Sequence, residues 1–387
     1  MSTRCPSCFR RLPEDSYLWV CGSGKCAPDV DALASRFVGK EVSNGPFVVQ
    51  EKPQGAARNW APVRPVECPQ CHEPAQEACP HCHYGLLDGW RDARATCIAM
   101  NGARATGKSL YIAVLVQLLG QLLATANSTI HFADSRTQQT YKNVYERPLF
   151  HARKLMQPTM SATADDAYHT HPLILSLGVL RGAKRYLVIR DVAGEDMELP
   201  PADTLRLEFL RHADGLFFMF DPLAVPGIRA KVQDLIPTQL RLGGDPNVVL
   251  GNLLNIIGTA TPPLAVVLSK FDAMHELRNV DDVHWQSIMS NSGAAFMRDP
   301  SLDHASYDDA DGELLHEEVR SLLYRLNANH LVLSLEQPNS GHRIPYRYFA
   351  VSALGESPRG ETVNARGIAP FRCVDPVKWI LSRSGAI

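Results

Sequence analysis

The sequence shows no excess of charge, no recognisable export signal and no long apolar run. Each of these absences argues against one class of protein. The formal net charge is −2 over 387 residues, so no global signal indicates a nucleic acid or an acidic membrane as partner. Residues 1–10 contain two cysteines and no apolar run, unlike a signal peptide. The longest apolar stretch, 110–126, is interrupted by Gln117, Gly120 and Gln121, whereas a membrane span needs about 20 apolar residues. We therefore expect a buried helix in a cytoplasmic protein.

Cysteine is scarce beyond residue 82, where only Cys97 and Cys373 occur; the other eight of the ten cysteines precede that point. In a reducing compartment such clustering favours metal binding over disulfides. Hydrophobic residues make up 45% of the chain and charged residues 21%, which is ordinary for a globular protein. The length predicts two or three structural units, with Cys97 and Cys373 as thiols of the core.

Two groups of four cysteines have the spacing of zinc ligands. A C-x-x-C turn places two thiolates on one ion, and a second pair completes a tetrahedral site. The first group, in a knuckle over residues 1–40, consists of Cys5, Cys8, Cys21 and Cys26. The second group, in a ribbon over residues 67–92, consists of Cys68, Cys71, Cys79 and Cys82. We predict one Zn²⁺ in each group and a linker over residues 41–66, which are rich in Pro, Gly and Ala.

Other interpretations of these cysteines stay open. Buried free cysteines would need no metal, and a redox C-x-x-C pair would require a βαβ pattern that the surrounding sequence lacks. His72, His81 or His83 could replace a thiolate, since all three lie beside the second group. Two Cys₄ sites are our prediction.

From about residue 95 onward, apolar runs alternate with helix-like segments, a pattern typical of an α/β sheet. The run at 97–101 is followed by Gly-Ala-Arg-Ala-Thr-Gly-Lys-Ser at 102–109 and then by a helix-like segment. This is the G-x-x-x-x-G-K-[ST] pattern in its required context of strand, loop and helix. Backbone N–H groups of such a loop face phosphate oxygens, Lys108 would reach the β- and γ-phosphates, and Ser109 would ligate Mg²⁺. The predicted nucleotide contacts are Gly102, Ala103, Arg104, Ala105, Thr106, Gly107, Lys108, Ser109 and Leu110.

Two further apolar runs, at 172–180 and 186–191, are separated by the short turn 181–185. Strands joined so closely are antiparallel. The second run ends in Asp191-Val192-Ala193-Gly194, which taken alone could be a structural turn at a strand end.

Later strands end in two more motifs. A strand at 215–220 is followed by one at 264–268, which leads into Ser269-Lys270-Phe271-Asp272. A final apolar run ends in Ser352-Ala353-Leu354.

Four motifs in this order, each at a strand end, resemble those of the Ras-like, TRAFAC-class GTPases over residues 93–387. Within that class the D-x-A-G-E form and the closing V-D-P-V-K-W segment at 374–379 resemble bacterial double-GTPase-type proteins, some of which carry zinc ribbons. The resemblance implies an α/β fold. This is a Ras-like P-loop G domain behind two zinc modules, with a mostly parallel sheet, one antiparallel hairpin strand and helices on both faces. It further implies GTP and GDP as ligands, and a regulatory role in a multi-protein bacterial system of the conflict or defence kind.

The resemblance also assigns roles to single residues. Asp191 would hold Mg²⁺ through water, and the Gly194 amide would sense the γ-phosphate. Asp272 would accept hydrogen bonds from the guanine N1–H and exocyclic amine, with the stem of Lys270 over the base. The S-A-L segment, made of Ser352, Ala353 and Leu354, would contact guanine O6.

Catalysis depends on residues that depart from the family pattern. Glu195 stands where these enzymes place Gln, and a carboxylate beside an anionic phosphate needs a cation nearby. Arg104 is either that cation, acting in cis, or a solvent-facing side chain. The switch threonine is predicted to be Thr159, with Thr163 and Thr170 as alternatives. We expect slow GTP hydrolysis that a partner accelerates.

Two other functions stay open. Glu195 permits a nucleotide-stabilised scaffold that does not hydrolyse GTP, and Ser269, where the family has Asn or Thr, permits an ATPase with a degenerate base pocket. Insertions near 222–263 and 273–345 are the expected protein-partner surfaces, with helices near 228–240, 248–257 and 313–326. The acidic run 308–312 lacks the ligand spacing of a Ca²⁺ loop and is interpreted as a helix start.

Overall fold

The computed structural model describes residues 3–57, 59–156, 171–200, 204–236, 243–338, 341–358, 360, 362–364 and 366–387. The part before residue 93 contains short elements: β1 (Ser16–Val20), β2 (Asp29–Val30), α1 (Ala32–Val38), β3 (Ser43–Asn44), β4 (Phe47–Glu51) and β5 (Gln76–Ala78). Strand β1 lies between β4 and β5 in an antiparallel sheet, and β2 pairs with β3.

The segment 41–66, which we interpreted as a linker, contains strand β4. Trp19 of β1 lies opposite Val48, and the pairing extends from Ser16 to Val20. Phe47, Val48 and Val49 are residue types that fit a pleated surface, but Pro and Gly on both sides obscured this short run. The segment therefore adds an edge strand to β1, while β1 itself joins the two cysteine-rich stretches by pairing with β5.

The remainder of the chain forms a larger α/β layer structure. Its strands are β6 (Arg94–Asn101), β7 (His131–Phe132), β8 (Leu173–Leu180), β9 (Ala183–Asp191), β10 (Gly215–Phe220), β11 (Leu264–Leu268) and β12 (Tyr346–Ala350). Its helices are α2 (Lys108–Thr125), α3 (Ser135–Thr140), α4 (Gly194–Glu198), α5 (Pro226–Val232), α6 (Pro246–Ile257), α7 (Phe271–His275), α8 (Val283–Met289), α9 (Asp309–Arg325), α10 (Asn329–Glu336) and α11 (Asp375–Arg383).

The seven strands form one sheet in the order β12-β11-β10-β6-β9-β8-β7. Strands β12, β11, β10, β6 and β9 are parallel, and β8 is antiparallel to both of its neighbours. The predicted fold, a mostly parallel sheet with one antiparallel hairpin strand, is confirmed. The hairpin turn is shorter than predicted, because Arg181 and Gly182 both adopt positive φ, of 50° and 74°, as a two-residue turn requires.

Helix α2 is the apolar segment that we expected to be buried. By length and composition it is the one helix in the described part of the chain that could cross a membrane, and 56% of it is buried inside the protein. Tyr111 packs edge-on against Phe217 with ring centroids 5.9 Å apart, and its hydroxyl donates to the Cys373 carbonyl at 2.7 Å. These contacts identify α2 as a helix of the core.

The insertions contain helices close to those predicted. Helix α5 ends at Val232, earlier than the predicted 240, while residues 237–242 lie outside the described part. Helix α6 begins after Asp245, whose carboxylate accepts from the Asn247 amide at 2.8 Å. Asp308 caps α9 by accepting from the Ala310 amide at 3.0 Å, so the acidic run is a helix start.

Candidate nucleotide site and thiolate clusters

The loop between β6 and α2 has the backbone that its glycines permit. Gly102 has φ +149°, and a Cβ there would lie 2.2 Å from the Met219 carbonyl oxygen of β10. Gly107, at the start of α2, has φ +88°, in the region that favours glycine. The buried Thr106 hydroxyl donates to the Ala103 carbonyl at 3.0 Å. The strand, loop and helix context of the phosphate-binding motif is therefore present.

Lys108 lies inside this loop and is 5% exposed. Its Nζ donates to the carbonyl oxygens of Gly102 and Ala103 at 2.8 and 3.0 Å. Burial lowers the pKa of Lys108, and the charges of Asp191 and Glu198 oppose that shift. The loop thus holds one buried cation, and the negative charges of Asp191 and Glu198 favour its charged form.

The Asp-Val-Ala-Gly motif packs directly on the phosphate-binding loop. Asp191 ends β9 opposite Met100 of β6 and is 5% exposed. A Cβ on Gly194 would lie 2.3 Å from the Arg104 amide nitrogen and 2.7 Å from the Ala103 carbonyl carbon. Only glycine fits this contact without a backbone shift, because backbone atoms cannot move aside as a flexible side chain can.

Arg104 forms ion pairs with two carboxylates of α4. Its Nη2 lies 3.2 Å from Glu195 Oε1, and its Nε lies 3.7 Å from Glu198 Oε2. Its backbone amide also donates to Glu198 Oε1 at 2.9 Å. Arg104 therefore lies within ion-pair distance of both carboxylates, and its side chain is 52% exposed.

Glu198 was not among the predicted site residues. Glu195 and Glu198 are three residues apart in a helix and so share one face, which was the available signal. A Cβ on Gly244 would lie 2.7 Å from Glu198 Oε1, so the segment before α6 covers this carboxylate. Outside the described residues lie the candidates for the switch threonine, Thr159, Thr163 and Thr170.

The motifs after β11 and β12 meet through Asp272. Its Oδ1 accepts from the Ser352 hydroxyl at 2.6 Å, and its Oδ2 accepts from the Ser357 hydroxyl at 2.7 Å. Ser352 Oγ in turn accepts from the Gly355 amide at 2.8 Å. The carboxylate is oriented by two hydroxyls, and each of its oxygens keeps a lone pair for a further donor. Ser357 was not predicted, since it lies beyond the S-A-L motif.

Lys270 and Ser269 connect the ends of β10 and β11. Lys270 Nζ lies 2.5 Å from Asp221 Oδ2, and Asp221 is fully buried. The Ser269 hydroxyl donates to the Phe220 carbonyl at 2.8 Å. Ser269 thus ties neighbouring loops together despite its departure from Asn or Thr. Asp221 was missed, although it directly follows a predicted strand.

The other predicted contacts lie on the same edge of the sheet. Ala105 has φ +57° within the loop. Ser109 and Leu110 are partly buried in the first turn of α2, and Ala353 and Leu354 are partly buried against the core. The structure therefore brings the four motifs together at the carboxyl ends of parallel strands, where ligands of open α/β sheets bind.

All eight predicted thiolates gather into two groups of four, but the predicted membership was wrong. The inner cluster consists of Cys5, Cys8, Cys79 and Cys82. The outer cluster consists of Cys21, Cys26, Cys68 and Cys71. Because β1 of the first cysteine-rich stretch pairs with β5 of the second, each group takes one pair of cysteines from each stretch. Spacing along the chain identifies the pairs but not which pairs face each other.

The sulfur geometry fits Zn²⁺. In the inner cluster Cys5 and Cys82 sulfurs are 3.6 Å apart, and in the outer cluster Cys21 and Cys71 sulfurs are also 3.6 Å apart. A tetrahedral ion with Zn–S distances of about 2.3 Å separates its sulfurs by about 3.8 Å. Both thiolate sets are therefore compatible with zinc.

Two of the three neighbouring histidines have other partners. His83 Nδ1 lies 2.7 Å from Asp31 Oδ2, and His81 Nε2 lies 3.3 Å from the Arg11 carbonyl oxygen. His72 does not belong to either thiolate group. Cys97 and Cys373 are buried outside both groups, as predicted.

A third group of metal-type side chains, on α9, does not fit a metal. Glu313 binds Arg347 at 2.5 Å and Glu317 binds Arg320 at 3.3 Å. His316 Nδ1 accepts from the Tyr348 amide at 3.0 Å, so its Nε2 carries the proton of the neutral ring. The two carboxylates and the imidazole are thus committed to other partners.

Comparisons with known proteins found a matching family model, a full-length relative and similar solved structures. A family model described as Double-GTPase 2 matches residues 96–325. A protein of Mycolicibacterium smegmatis described as the putative ESX-1 scaffolding and assembly protein SaeC is 45% identical over 387 residues, which is 100% of each chain. Among solved structures, the bacterial selenocysteine-specific elongation factor EF-Sec is similar with 14% identity and a TM-score of 0.25. That alignment covers 66% of this chain and 25% of the elongation factor, and it is too remote to support an assignment.

Proposed function

Since the chain belongs to the Double-GTPase 2 family, we propose that it is a GTP-binding switch that hydrolyses GTP slowly with Mg²⁺. The observation that carries the proposal is the meeting of Gly194 with the backbone of the phosphate-binding loop. Such a contact lets a nucleotide at the loop influence the segment that follows, as in switches ordered by a γ-phosphate. The TRAFAC class and a nucleotide domain that begins near residue 93 belong to the same proposal.

Each nucleotide group would be held by residues already close together. Lys108 and the loop amides would bind the phosphates, and Asp272 would accept from guanine, oriented by Ser352. Ser109 and Asp191 would hold Mg²⁺, which would neutralise charge on the phosphates. Lys270, held by the buried Asp221, would lie over the base.

Slow turnover follows from the pairing of Arg104 with Glu195. A carboxylate can accept a proton from the attacking water and orient it, but repulsion from the phosphate opposes that role unless a cation is near. Arg104 supplies this charge while being shared with Glu198. We therefore propose weak intrinsic hydrolysis that a protein partner raises by repositioning these side chains.

The proposed setting is the assembly of a bacterial secretion machine. The support is the printed description of the relative in M. smegmatis as a scaffolding and assembly protein. A guanine-nucleotide switch with appended zinc modules suits such a role, because nucleotide state can order or release a partner surface. The chain would act in the cytoplasm, where GTP is available and thiols stay reduced. A conflict or defence role stays a prediction.

The second candidate is a nucleotide-stabilised scaffold that does not turn GTP over. The relative's description as a scaffolding protein and Glu195 in place of Gln favour it. In this case each cluster would still hold Zn²⁺, and the nucleotide would act as a structural ligand. Measurable GTP turnover that is lost in Lys108→Ala would reject it.

The test of the proposed function is binding of fluorescent GDP, GTP, ADP and ATP with Mg²⁺, followed by phosphate release. We expect GDP to bind more than about a hundredfold tighter than ADP, because a hydrogen-bonding pocket rejects a base that leaves it unpaired. Asp272→Ala should abolish the preference, and Asp281→Ala, an exposed carboxylate elsewhere, should keep it. Equal affinity for GDP and ADP in the unmodified protein would show instead an ATPase with a degenerate base pocket.

A further inference from the structure

Arg190 lies immediately before Asp191 and faces the inner cluster. Successive side chains of a strand point to opposite faces. Asp191 and Arg190 therefore point to opposite faces of the sheet, although they are neighbours on one strand. Arg190 is 6% exposed, and its Nη1 donates to the Ser7 carbonyl at 2.6 Å. Ser7 belongs to the Cys5–Cys8 turn, so the arginine contacts the thiolate knuckle itself.

Aromatic rings fix the position of this guanidinium. Its carbon lies 3.8 Å from the centroid of Phe209 and 5.5 Å from that of Phe37 of α1. A planar guanidinium stacks on aromatic faces in a way that an ammonium does not. Arg190 is therefore held by the cysteine-rich part and by the segment 204–212, which follows α4 along the chain.

The inner cluster also supplies the charge that a buried arginine needs. Four thiolates on Zn²⁺ carry a formal excess of two negative charges, and buried charges are costly unless compensated. None of the ion pairs between described side chains includes Arg190. Burial lowers the pKa of Arg190 to about 10, and the charges of Cys82, Cys8 and Cys5 oppose that shift. Metal-loaded thiolates and the arginine therefore stabilise each other.

We infer that Arg190 is a positioning residue through which the inner cluster holds the end of β9, and hence Asp191, in place for nucleotide binding. The nucleotide readout of this inference rests on the proposed function. Among the described residues no hydrogen bond links the outer cluster with β9. Strand β1, which leads into Cys21, packs in separate small cores around Trp19 and Val20. Loss of metal from the inner cluster then weakens nucleotide binding, while loss from the outer cluster does not.

The test compares Arg190→Met with Arg185→Met in the full chain. Arg185 lies on the same strand, is 5% exposed and donates to the Gly385 carbonyl at 2.9 Å, so it controls for loss of a buried arginine from β9. Arg190→Lys retains the charge without the stacking. The readouts are zinc release to EDTA, hydrogen exchange of amides at 186–198, and the dissociation rate of fluorescent GDP.

We expect Arg190→Met to release one of two zinc equivalents about tenfold or more faster, as for other residues that support metal ligands. Exchange at 186–198 should rise, and GDP should dissociate about tenfold faster, with smaller changes of the same sign in Arg190→Lys. Arg185→Met should leave zinc release unchanged. The inference is overturned by unchanged zinc release and exchange in Arg190→Met, or by the same changes in Arg185→Met.

The unmodified protein offers a test that needs no variant to fold. EDTA should remove metal from the outer cluster first, because Cys26 and Cys71 are partly exposed. The rate of GDP dissociation should stay constant while the first zinc equivalent is lost and should rise when the second is lost. A rise during loss of the first zinc equivalent, or no rise during loss of the second, overturns the inference. If the unmodified protein binds no guanine nucleotide, the proposed function fails, and zinc release and exchange in the variants still decide the inference.

Discussion

The inner and outer clusters have the same four thiolates but different surroundings. The inner cysteines are at most 4% exposed and belong to the main hydrophobic core. In the outer cluster Cys26 and Cys71 are partly exposed, and the adjoining sheet has its own small cores. Small segments depend on metal for folding when they cannot bury enough apolar surface. The same four-cysteine arrangement can therefore stabilise the fold of the nucleotide domain in one place and an appended small sheet in another.

The largest expected effect comes from serine in place of one ligand of each cluster. Cys8→Ser removes a ligand that is 1% exposed and should destabilise the whole chain by at least about 5 kcal/mol, since structural zinc contributes about 10–16 kcal/mol to zinc-finger folding. Cys71→Ser should disorder the outer sheet and leave the thermal transition of the nucleotide domain in place. Thermal unfolding followed by GDP binding would measure this, and an equal loss in both variants would remove the distinction.

A smaller effect is expected at the contact between Gly194 of α4 and the phosphate-binding loop. Gly194→Ala places a methyl group against the Arg104 amide and should cost about 3 kcal/mol, which lowers GDP affinity about a hundredfold. Gly251→Ala in α6, where a Cβ would contact nothing within 4 Å, is the matched control and should stabilise slightly. Titration with fluorescent GDP measures both, and equal affinities would show that the loop can shift to accept the methyl group.

The smallest expected effect comes from replacing one tryptophan of the main core, Trp90, or one of a small core beside the outer cluster, Trp19. Trp90 donates its indole N–H to the Arg4 carbonyl at 2.8 Å and stacks on Tyr186, so Trp90→Phe should cost about 1–3 kcal/mol. In Trp19 the buried indole N–H has no partner among the described residues. Trp19→Phe should therefore cost less, because it loses packing but no hydrogen bond. Urea unfolding curves decide this, and a larger loss for Trp19→Phe would reverse the proposed ranking of the two regions.

Predictions with a local physical cause were confirmed. The turn between β8 and β9 forced antiparallel pairing, and the glycines of the loop at 102–109 matched the backbone that they permit. Asp308 capped its helix because its carboxylate reaches amides only two or three residues away. Such features depend on neighbours in sequence, so composition and spacing were enough to predict them.

Predictions that depended on contacts between residues far apart in sequence were wrong or incomplete. The two cysteine pairs of each ion site come from different stretches, because β1 of the first stretch pairs with β5 of the second. Glu198, Asp221 and Ser357 entered the site through contacts with distant residues. Spacing along the chain does not predict contacts between residues that the packing of strands and helices brings together.

The sequence alone predicted most strands of the larger sheet and the residues that end them, because turn chemistry, periodicity and motif spacing act over a few residues. It also identified all eight thiolates of the two clusters. Only the tertiary structure decided which thiolates share an ion, which carboxylates face Arg104, and that Arg190 connects the inner cluster with the end of β9. These arrangements arise from sheet pairing and core burial, which join parts of the chain that lie far apart in sequence.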